Sequence, residues 1–308
     1  MEFTVSGVVV APWVPPLVAF VISFFTSMGG VSGAFLLLPF QMSVLGYTTP
    51  SVSATNQLFN IVAIPSGVWR HIREGRMVWP LTWVVIVATL PGVLIGAVVR
   101  VRYLPDPRSF KLFAAGVLLY IGVRMVVDLL RRRAKSHGKE DAEERFQRMV
   151  AEHRRKGEAE SVGLPAVVVR RFSLTRIEYE FYGESFSFST PGISALAFVV
   201  GVIGGIYGIG GGAIMAPFFI SVFGLPVYTV AGAALMGTLI TSVAGVVIYS
   251  WMGVGPDWAL GLLFGIGGAA GMYFGARAQK YVPAQAIKLM LCLVIIVTAI
   301  RYVVGFFN

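Results

Sequence analysis

The chain contains the stretch VIGGIYGIGGGAIMAPF at residues 202–218, and a looser copy, FFTSMGGVSGAFLLLPF, 178 positions earlier at residues 24–40. The two copies share two glycines and a Pro-Phe pair, which are Gly30, Gly33, Pro39 and Phe40 in the first and Gly208, Gly211, Pro217 and Phe218 in the second. Matches at the same spacing continue as far as Pro105 and Pro283. A repeat of this length is far too long for a solenoid. The chain is therefore predicted to consist of two homologous halves.

The composition is that of a polytopic membrane protein. Of the 308 residues, 56% are hydrophobic and 13% are charged, whereas soluble domains carry about 25% charged residues. The net charge of +10 comes from basic residues beside apolar stretches, which indicates membrane topology and lipid contact rather than nucleic-acid binding. A duplicated hydrophobic chain is typical of many membrane transporters, whose substrate site lies where the halves meet.

Eight apolar stretches stand out, at residues 17–46, 52–69, 78–99, 110–130, 192–223, 229–252, 257–276 and 285–304. Six of them suit one helix each, since about 20 residues cross the hydrocarbon layer. The first and fifth are longer and contain glycine clusters, so both are predicted to be broken there, inside protein or against a water-filled cavity. The fold class predicted is an all-α polytopic membrane protein with up to ten membrane segments.

Two topologies stay open for the repeats. If each broken stretch crosses the membrane once, the repeats are parallel and there are eight spans; if it crosses twice, the repeats are inverted and there are ten short segments. The inverted arrangement places Arg277, Lys280 and Lys288 inside, which suits the distribution of basic residues. Both arrangements leave four basic residues outside, namely Arg100, Arg102, Arg108 and Lys111.

The region between the halves differs from both of them. The domains predicted are therefore residues 1–130, the charged region 131–190 and residues 191–308, and the middle one holds thirteen of the 25 Lys/Arg and ten of the 15 Asp/Glu. Basic residues directly after the fourth stretch (Arg131, Arg132, Arg133 and Lys135) predict that this region is cytoplasmic. We expect a charged helix at residues 139–156 and a β-hairpin within 166–188, turning at Tyr182-Gly183-Glu184-Ser185. A lone hairpin is marginal in water, so a homodimer that pairs the hairpins is an open alternative.

The glycine clusters are the first candidate for a substrate site. The string Gly208-Ile209-Gly210-Gly211-Gly212 superficially resembles a dinucleotide-binding loop, but that loop belongs to a soluble strand–turn–helix unit. Two interpretations remain for the clusters: close helix packing through small residues, and half-helix N-termini whose free N–H groups bind an anion. Packing is the better interpretation for glycines elsewhere at four-residue spacing, which are Gly92/Gly96 and Gly267/Gly271/Gly275.

The acids of the membrane regions point to the charge of the substrate. They are Glu2, Glu74, Asp106, Asp128 and Asp257, and all lie at or near the ends of apolar stretches. Cation-coupled and proton-coupled transporters usually bury a carboxylate at mid-membrane, so an anionic substrate is favoured. The sequence has no metal-site constellation, no cofactor motif and no nucleophile–base pair, so we expect a protein that is not an enzyme and holds no metal or cofactor.

Polar residues at mid-depth complete the candidate site, and the run Thr55-Asn56-Gln57 is the most polar patch in any span. Hydrogen bonding between helices is the alternative role for these residues. The predicted substrate-binding residues are Gly29, Gly30, Ser32, Gly33, Thr55, Asn56, Gln57, Asn60, Tyr207, Gly208, Gly210, Gly211, Gly212, Thr238 and Thr241.

These sequence motifs resemble those of a known protein family. Gly29-Gly30-Val31-Ser32-Gly33 with Pro39-Phe40, and the cluster from Gly204 to Gly212 with Pro217, are similar to the duplicated signature of the sulfite exporter TauE/SafE family. Ser53-Ala54-Thr55-Asn56 and Ala231-Gly232-Ala233-Ala234 also resemble its pattern. The resemblance covers nearly all of both membrane halves, whereas the long charged middle region departs from many members.

The resemblance implies a bacterial or archaeal inner-membrane carrier for small anions that contain sulfur, such as sulfite, sulfoacetate or sulfonates. Together with the residues, it predicts alternating access at the interface of the repeats, with the small anion and membrane lipids as partners. Two alternatives stay open: a cation-coupled nutrient symporter, and a membrane scaffold or sensor that acts through the middle region.

Overall fold

A computed structural model describes residues 1–28, 32–73, 75, 77–135, 167–181, 184–212, 214–223, 225, 227–278 and 284–307. The first half contains helices α1 (Val14–Met28), α2 (Ala34–Ser43), α3 (Ser51–Ala63), α4 (Pro65–Arg73), α5 (Trp79–Arg102) and α6 (Pro107–Lys135). Three strands follow, β1 (Val168–Phe172), β2 (Arg176–Phe181) and β3 (Glu184–Ser189). The second half contains α7 (Thr190–Tyr207), α8 (Met215–Phe223), α9 (Val227–Trp251), α10 (Trp258–Ala278) and α11 (Ala284–Phe307).

The helices suit a membrane. Within the described part of the chain, four helices are long and apolar enough to span one: Trp79–Arg102, Thr190–Tyr207, Thr229–Trp251 and Trp258–Gly275. Shorter apolar helices occupy Val14–Ser27, Ala34–Ser43 and Ile295–Val304. The protein is therefore a mostly helical, multi-pass membrane protein. The helices lie close to the apolar stretches of the sequence, while the number of spans stays a prediction.

Both overlong stretches are interrupted where the glycines cluster. α1 ends at Met28 and α2 begins at Ala34. In the second half, α7 ends at Tyr207 and is capped by Gly208, whose φ of 83° is left-handed and whose N–H donates to the carbonyl of Gly204. Ile209 donates to the same carbonyl at 3.0 Å, and Gly210 is also left-handed, with a φ of 76°. Glycine adopts this backbone without a steric penalty, so the second cluster ends the helix.

The predicted stretch 52–69 is not one helix. α3 ends at Ala63 and α4 begins at Pro65, because proline has no N–H to continue the helical hydrogen bonds. The corresponding part of the second half, α9, runs without interruption from Val227 to Trp251. The two halves therefore differ at this position.

Glycines allow two helix pairs to approach closely. α5 packs along α7, and a Cβ added to Gly92 or Gly96 would meet the backbone of Val202 or Ile206, 2.8 Å away in each case. α1 packs along α10 in the same way, where Gly267, Gly271 and Gly275 face the α1 backbone. The close-packing interpretation of these glycines is confirmed. α6 and α11 form a third pair, in which Gly122 accommodates Ile296.

The strands form an antiparallel sheet in the order β1-β2-β3. β2 and β3 make a hairpin in which Ile177 lies opposite Phe188 and Tyr179 opposite Phe186. Alternate side chains of β2 are buried, and the Tyr179 hydroxyl lies 2.8 Å from Thr229 Oγ1 on α9. Burial raises the pKa of Tyr179 above its ordinary value. The sheet is therefore docked on the helices, and the helix predicted at 139–156 lies outside the described residues, as do Tyr182 and Gly183 of the turn.

Candidate functional site

The two breaks meet at one face of α3. Ser32, in the first break, donates through Oγ to Oδ1 of Asn60 at 2.7 Å. The Nδ2 group of Asn60 donates to the carbonyl of Ile209, in the second break, at 2.9 Å. Asn60 is fully buried. A single side chain of α3 therefore links the two interrupted segments.

Asn56 makes a second link one helical turn earlier. Its Nδ2 donates to the carbonyl of Ala34 at 2.9 Å and to that of Gly208 at 3.0 Å, and its Oδ1 accepts from Gln41 Nε2 at 3.3 Å. A spacing of four residues places Asn56 and Asn60 on the same face of the helix. The end of α7 leaves carbonyls without intrahelical partners, and the two amides satisfy those of Gly208 and Ile209. Asn56 also ties this break to Ala34, the first residue of α2.

The opposite wall of the site comes from α9. The Thr241 hydroxyl accepts from the N–H of Gly211 at 2.9 Å and donates to the carbonyl of Gly237 at 2.6 Å. Thr238 donates to its own helix, to the carbonyl of Ala234 at 2.8 Å. Ser242 accepts from Asn60 Nδ2 at 3.3 Å. Three buried hydroxyls of α9 therefore face the second break.

Two predicted residues serve other contacts. The Tyr207 hydroxyl donates to the carbonyl of Phe35 at 2.9 Å, so it ties the end of α7 to α2. Thr55 lies away from the amide face of Asn56 and Asn60: its hydroxyl accepts from the N–H of Asp257 at 2.9 Å and lies 3.0 Å from the Tyr47 hydroxyl.

Gln57 is the predicted residue with unused hydrogen-bonding capacity. It is fully buried, and neither Oε1 nor Nε2 has a partner among the described residues. Its amide lies against Gly245 on α9, where an added Cβ would collide with it. Gln41 likewise has an unpartnered, buried Oε1. Buried polar groups without partners are costly, so these amides are candidates for a ligand or water.

The glycines of the breaks complete the site. Gly29 and Gly30 lie outside the described residues, whereas Gly33 is buried beside Ser23. Gly210 and Gly212 are buried against Thr238, and their N–H groups donate to no atom of the described residues. The N–H of Gly211, between them, is used by Thr241, so two backbone N–H groups at this break are available to an anion.

No charged side chain hydrogen-bonds to the amides of Asn56, Gln57 or Asn60 in the described structure. Asp257 is buried, but it begins α10: its carboxylate accepts from the N–H of Leu260 at 3.1 Å and from the Ser6 N–H and hydroxyl at 3.0 and 2.8 Å. That is the bonding of a helix N-cap. The polar centre is therefore neutral in its side chains.

The sequence did not single out Arg100 for this site. It is fully buried near the end of α5, and two of its nitrogens, Nε and Nη2, have no partner among the residues that the structure describes. Both topologies place Arg100 on the outer side, where basic residues are unusual. This was the feature of the sequence that could have pointed to a special role.

The family comparison agrees with this architecture. The family model described as Sulfite exporter TauE/SafE matches residues 16–302, nearly the whole chain. No curated protein and no solved structure matches it. The matched range includes both helix breaks, α3, α9 and Arg100. The chain belongs to the sulfite exporter TauE/SafE family.

Proposed function

We propose that this protein carries small anions across the membrane, with sulfur oxyanions such as sulfite and organic sulfonates as the first class to test. One observation carries the proposal: two helix breaks meet at a buried polar centre that contains unpartnered donors and, among the described residues, no charged side chain. The donors are the Gln57 amide and the N–H groups of Gly210 and Gly212. Such donors replace the water of an anion.

The absence of an acid at the described centre supports an anion over a cation. A cation-coupled symporter needs a carboxylate that is available to its ion. The oxygens of Asp257 instead accept hydrogen bonds from Ser6 and Leu260. We therefore rank the symporter below the anion carrier.

Inverted repeats are part of the proposal, and the helix pairs support the two-fold relation between the halves that inverted and parallel repeats share. Under the 178-residue repeat, α1 corresponds to α7 and α5 to α10. The pairs α1–α10 and α5–α7 are then the same contact made twice, with the halves exchanged. Alternating access in such carriers is a rocking of one repeat against the other around a fixed site.

The proposed orientation places the sheet in the cytoplasm. The sheet lies at the end of the helices where α5 begins, since Val167 donates to the carbonyl of Gly75 at 3.3 Å. α6 ends toward the same region with Arg131, Arg132, Arg133 and Lys135. Basic residues beside spans favour the cytoplasmic side, so α5 would end at the outer face.

The first experiment is a ligand screen on the purified full chain in detergent. Sulfite, thiosulfate, methanesulfonate, sulfoacetate, taurine, acetate and chloride are compared by thermal unfolding. A ligand at 100 times its Kd adds about 2.7 kcal/mol to the free energy of unfolding. Stabilisation by sulfur oxyanions but not by chloride supports the proposal, and the same anions should then exchange in proteoliposomes. Stabilisation only by Na⁺ or another cation would point to the symporter.

Gln57→Leu tests the centre without breaking a hydrogen bond. The repeat counterpart of Gln57 is Leu235, which faces Gly67 as Gln57 faces Gly245. The variant should fold at least as stably as the wild type, because it removes an unsatisfied buried amide, yet it should transport the anion roughly tenfold more slowly if one hydrogen bond is lost from the bound state. The matched control, Leu235→Gln, should not raise transport. Unchanged transport by Gln57→Leu would remove Gln57 from the site.

A further inference from the structure

Arg100 is a buried cation whose contacts satisfy part of its guanidinium. The side chain is fully buried in the last turn of α5. One nitrogen, Nη1, donates to the carbonyl of Leu104. The guanidinium carbon lies 3.7 Å from the centre of the Phe110 ring. Both contacts are consistent with a charge at the C-terminal end of a helix.

The other edge of the guanidinium has no partner. Nε and Nη2, which point to the same side of the planar group, are inaccessible to solvent and make no hydrogen bond with the described residues. No described carboxylate forms an ion pair with Arg100. Arginine stays protonated in proteins, and a buried charge without a counter-charge is strongly unfavourable. This edge is therefore able to bind an anion.

Arg100 lies next to the second break. One turn earlier on α5, Gly96 packs against the end of α7, where an added Cβ would lie 2.9 Å from Gly205 Cα. The hydroxyl of Tyr249 donates to the carbonyl of Gly205 at 2.9 Å. Ser53 donates to the next carbonyl, that of Ile206, at 3.3 Å. Since Gly92 faces Val202 and Gly96 faces Ile206, Arg100 lies beside the residues that end α7. The repeat counterpart of Arg100 is Ala278, so this cation exists in one half alone.

We propose that Arg100 is a second anion site, between the central breaks and the membrane face opposite the sheet, and that it binds a small oxyanion through two oxygens. The Nε/Nη2 edge matches the geometry of carboxylate, sulfonate or sulfite oxygens and gives two parallel hydrogen bonds. Chloride, a single atom, is attracted by the charge of Arg100 but cannot accept the two parallel hydrogen bonds through two oxygens. The inference rests on the proposed transport of anions, and it adds an outer site that the anion occupies on its way across the membrane.

The test is equilibrium binding to the purified full chain, with methanesulfonate, sulfite, acetate and chloride as probes. Three variants are compared with the wild type: Arg100→Gln, Arg100→Lys, and the control Arg102→Gln, which changes an exposed arginine on the same helix end. Arg100→Gln should weaken oxyanion binding by roughly tenfold or more, because a buried charged partner is lost. Arg102→Gln should bind as the wild type does.

Arg100→Lys separates ligand binding from a structural role. A lysine keeps the charge and can still donate to Leu104, but its ammonium is a point charge without the fork. The preference for oxyanions over chloride should therefore collapse in Arg100→Lys while the stability without ligand changes little. If Arg100→Gln does not purify as a monodisperse protein, the preference of Arg100→Lys for oxyanions over chloride tests the inference instead. Wild-type selectivity in Arg100→Lys would overturn the inference.

Transport in proteoliposomes distinguishes this inference from the proposed function. If anions are transported and Arg100→Gln binds and transports like the wild type, the outer site is wrong and the central site stands. If oxyanions bind in an Arg100-dependent manner but none is transported, the site stands and the carrier function falls. If oxyanions neither bind nor cross the membrane, both are overturned.

Discussion

Neighbouring side chains on α3 have different roles. Asn56 uses both N–H bonds of its amide on carbonyls of two helix breaks, whereas Gln57, the next residue, has an amide without partners. The sequence predicted both as substrate-binding residues, because both belong to the most polar run of the membrane regions. It could not distinguish them, since the partner Gly208 lies 152 residues away. Asn56 shapes the site, and Gln57 is the better candidate to contact the anion.

Gly208 has both a left-handed backbone and no room for a side chain, and mutation can separate these two requirements for glycine. Its φ of 83° favours glycine, and a Cβ would also lie 2.5 Å from Ser53 Cα. Gly253 has a similar φ of 78°, but nothing lies within 4 Å of its added Cβ. Gly253→Ala should therefore lower the free energy of unfolding only through the strained backbone, by about 1 kcal/mol. Gly208→Ala should lower it clearly more and disturb the second break.

Thermal unfolding of the two glycine variants in detergent measures the difference. Transport should survive in Gly253→Ala and fall in Gly208→Ala. Equal losses of stability would mean that Ser53 moves aside for the added methyl group without a loss of stability. The close approach of the two halves would then not depend on Gly208.

At the scale of elements, the helices of this chain were largely predictable and their contacts were not. Each overlong apolar stretch is interrupted where its glycines cluster, and in the second one glycine readily adopts the left-handed backbone that ends α7. The interruption at Pro65 was missed, although the proline was the signal. The buried position of Arg100 could not be predicted, because arginines at span ends normally extend toward water, and its burial depends on Phe110 and Leu104.

The docking of the sheet on α9 makes a prediction at this scale. Tyr179 is buried and its hydroxyl bonds to Thr229. Tyr179→Phe removes this bond and should lower the free energy of unfolding by about 1 kcal/mol. Thermal unfolding measures it, with Tyr103→Phe as the control, because Tyr103 is 76% exposed. If both variants unfold like the wild type, the hydroxyl does not hold the sheet in place.

The whole molecule is built unequally from its two halves. α3 carries Asn56, Gln57 and Asn60, where α9 carries Ala234, Leu235 and Thr238. The amides that join both breaks therefore come from the first half, while the hydroxyls of Thr238, Thr241 and Ser242 come from the second. The repeat was visible in the sequence through its glycines and prolines, which set the backbone; the division of polar roles appears only once the halves are packed together.

Membrane potential should drive the proposed carrier directly. With no acid available at the described centre, a monovalent anion would move as a net charge, worth about 2.3 kcal/mol per 100 mV. In proteoliposomes, a potassium diffusion potential of 100 mV should therefore change the accumulation of the anion by roughly 50-fold at equilibrium. Accumulation that follows a proton or sodium gradient instead, and ignores the potential, would contradict uncoupled carriage.

The interruption at Pro65 has a consequence for the direction of traffic. If the two halves exchange conformations during a cycle, the inward-open and outward-open forms should differ in free energy, because the helix is interrupted between α3 and α4 but not in α9. The empty carrier would then rest with one side open. Half-saturation would occur at different concentrations on the two faces, so the protein would act as a partial rectifier even without a coupling ion.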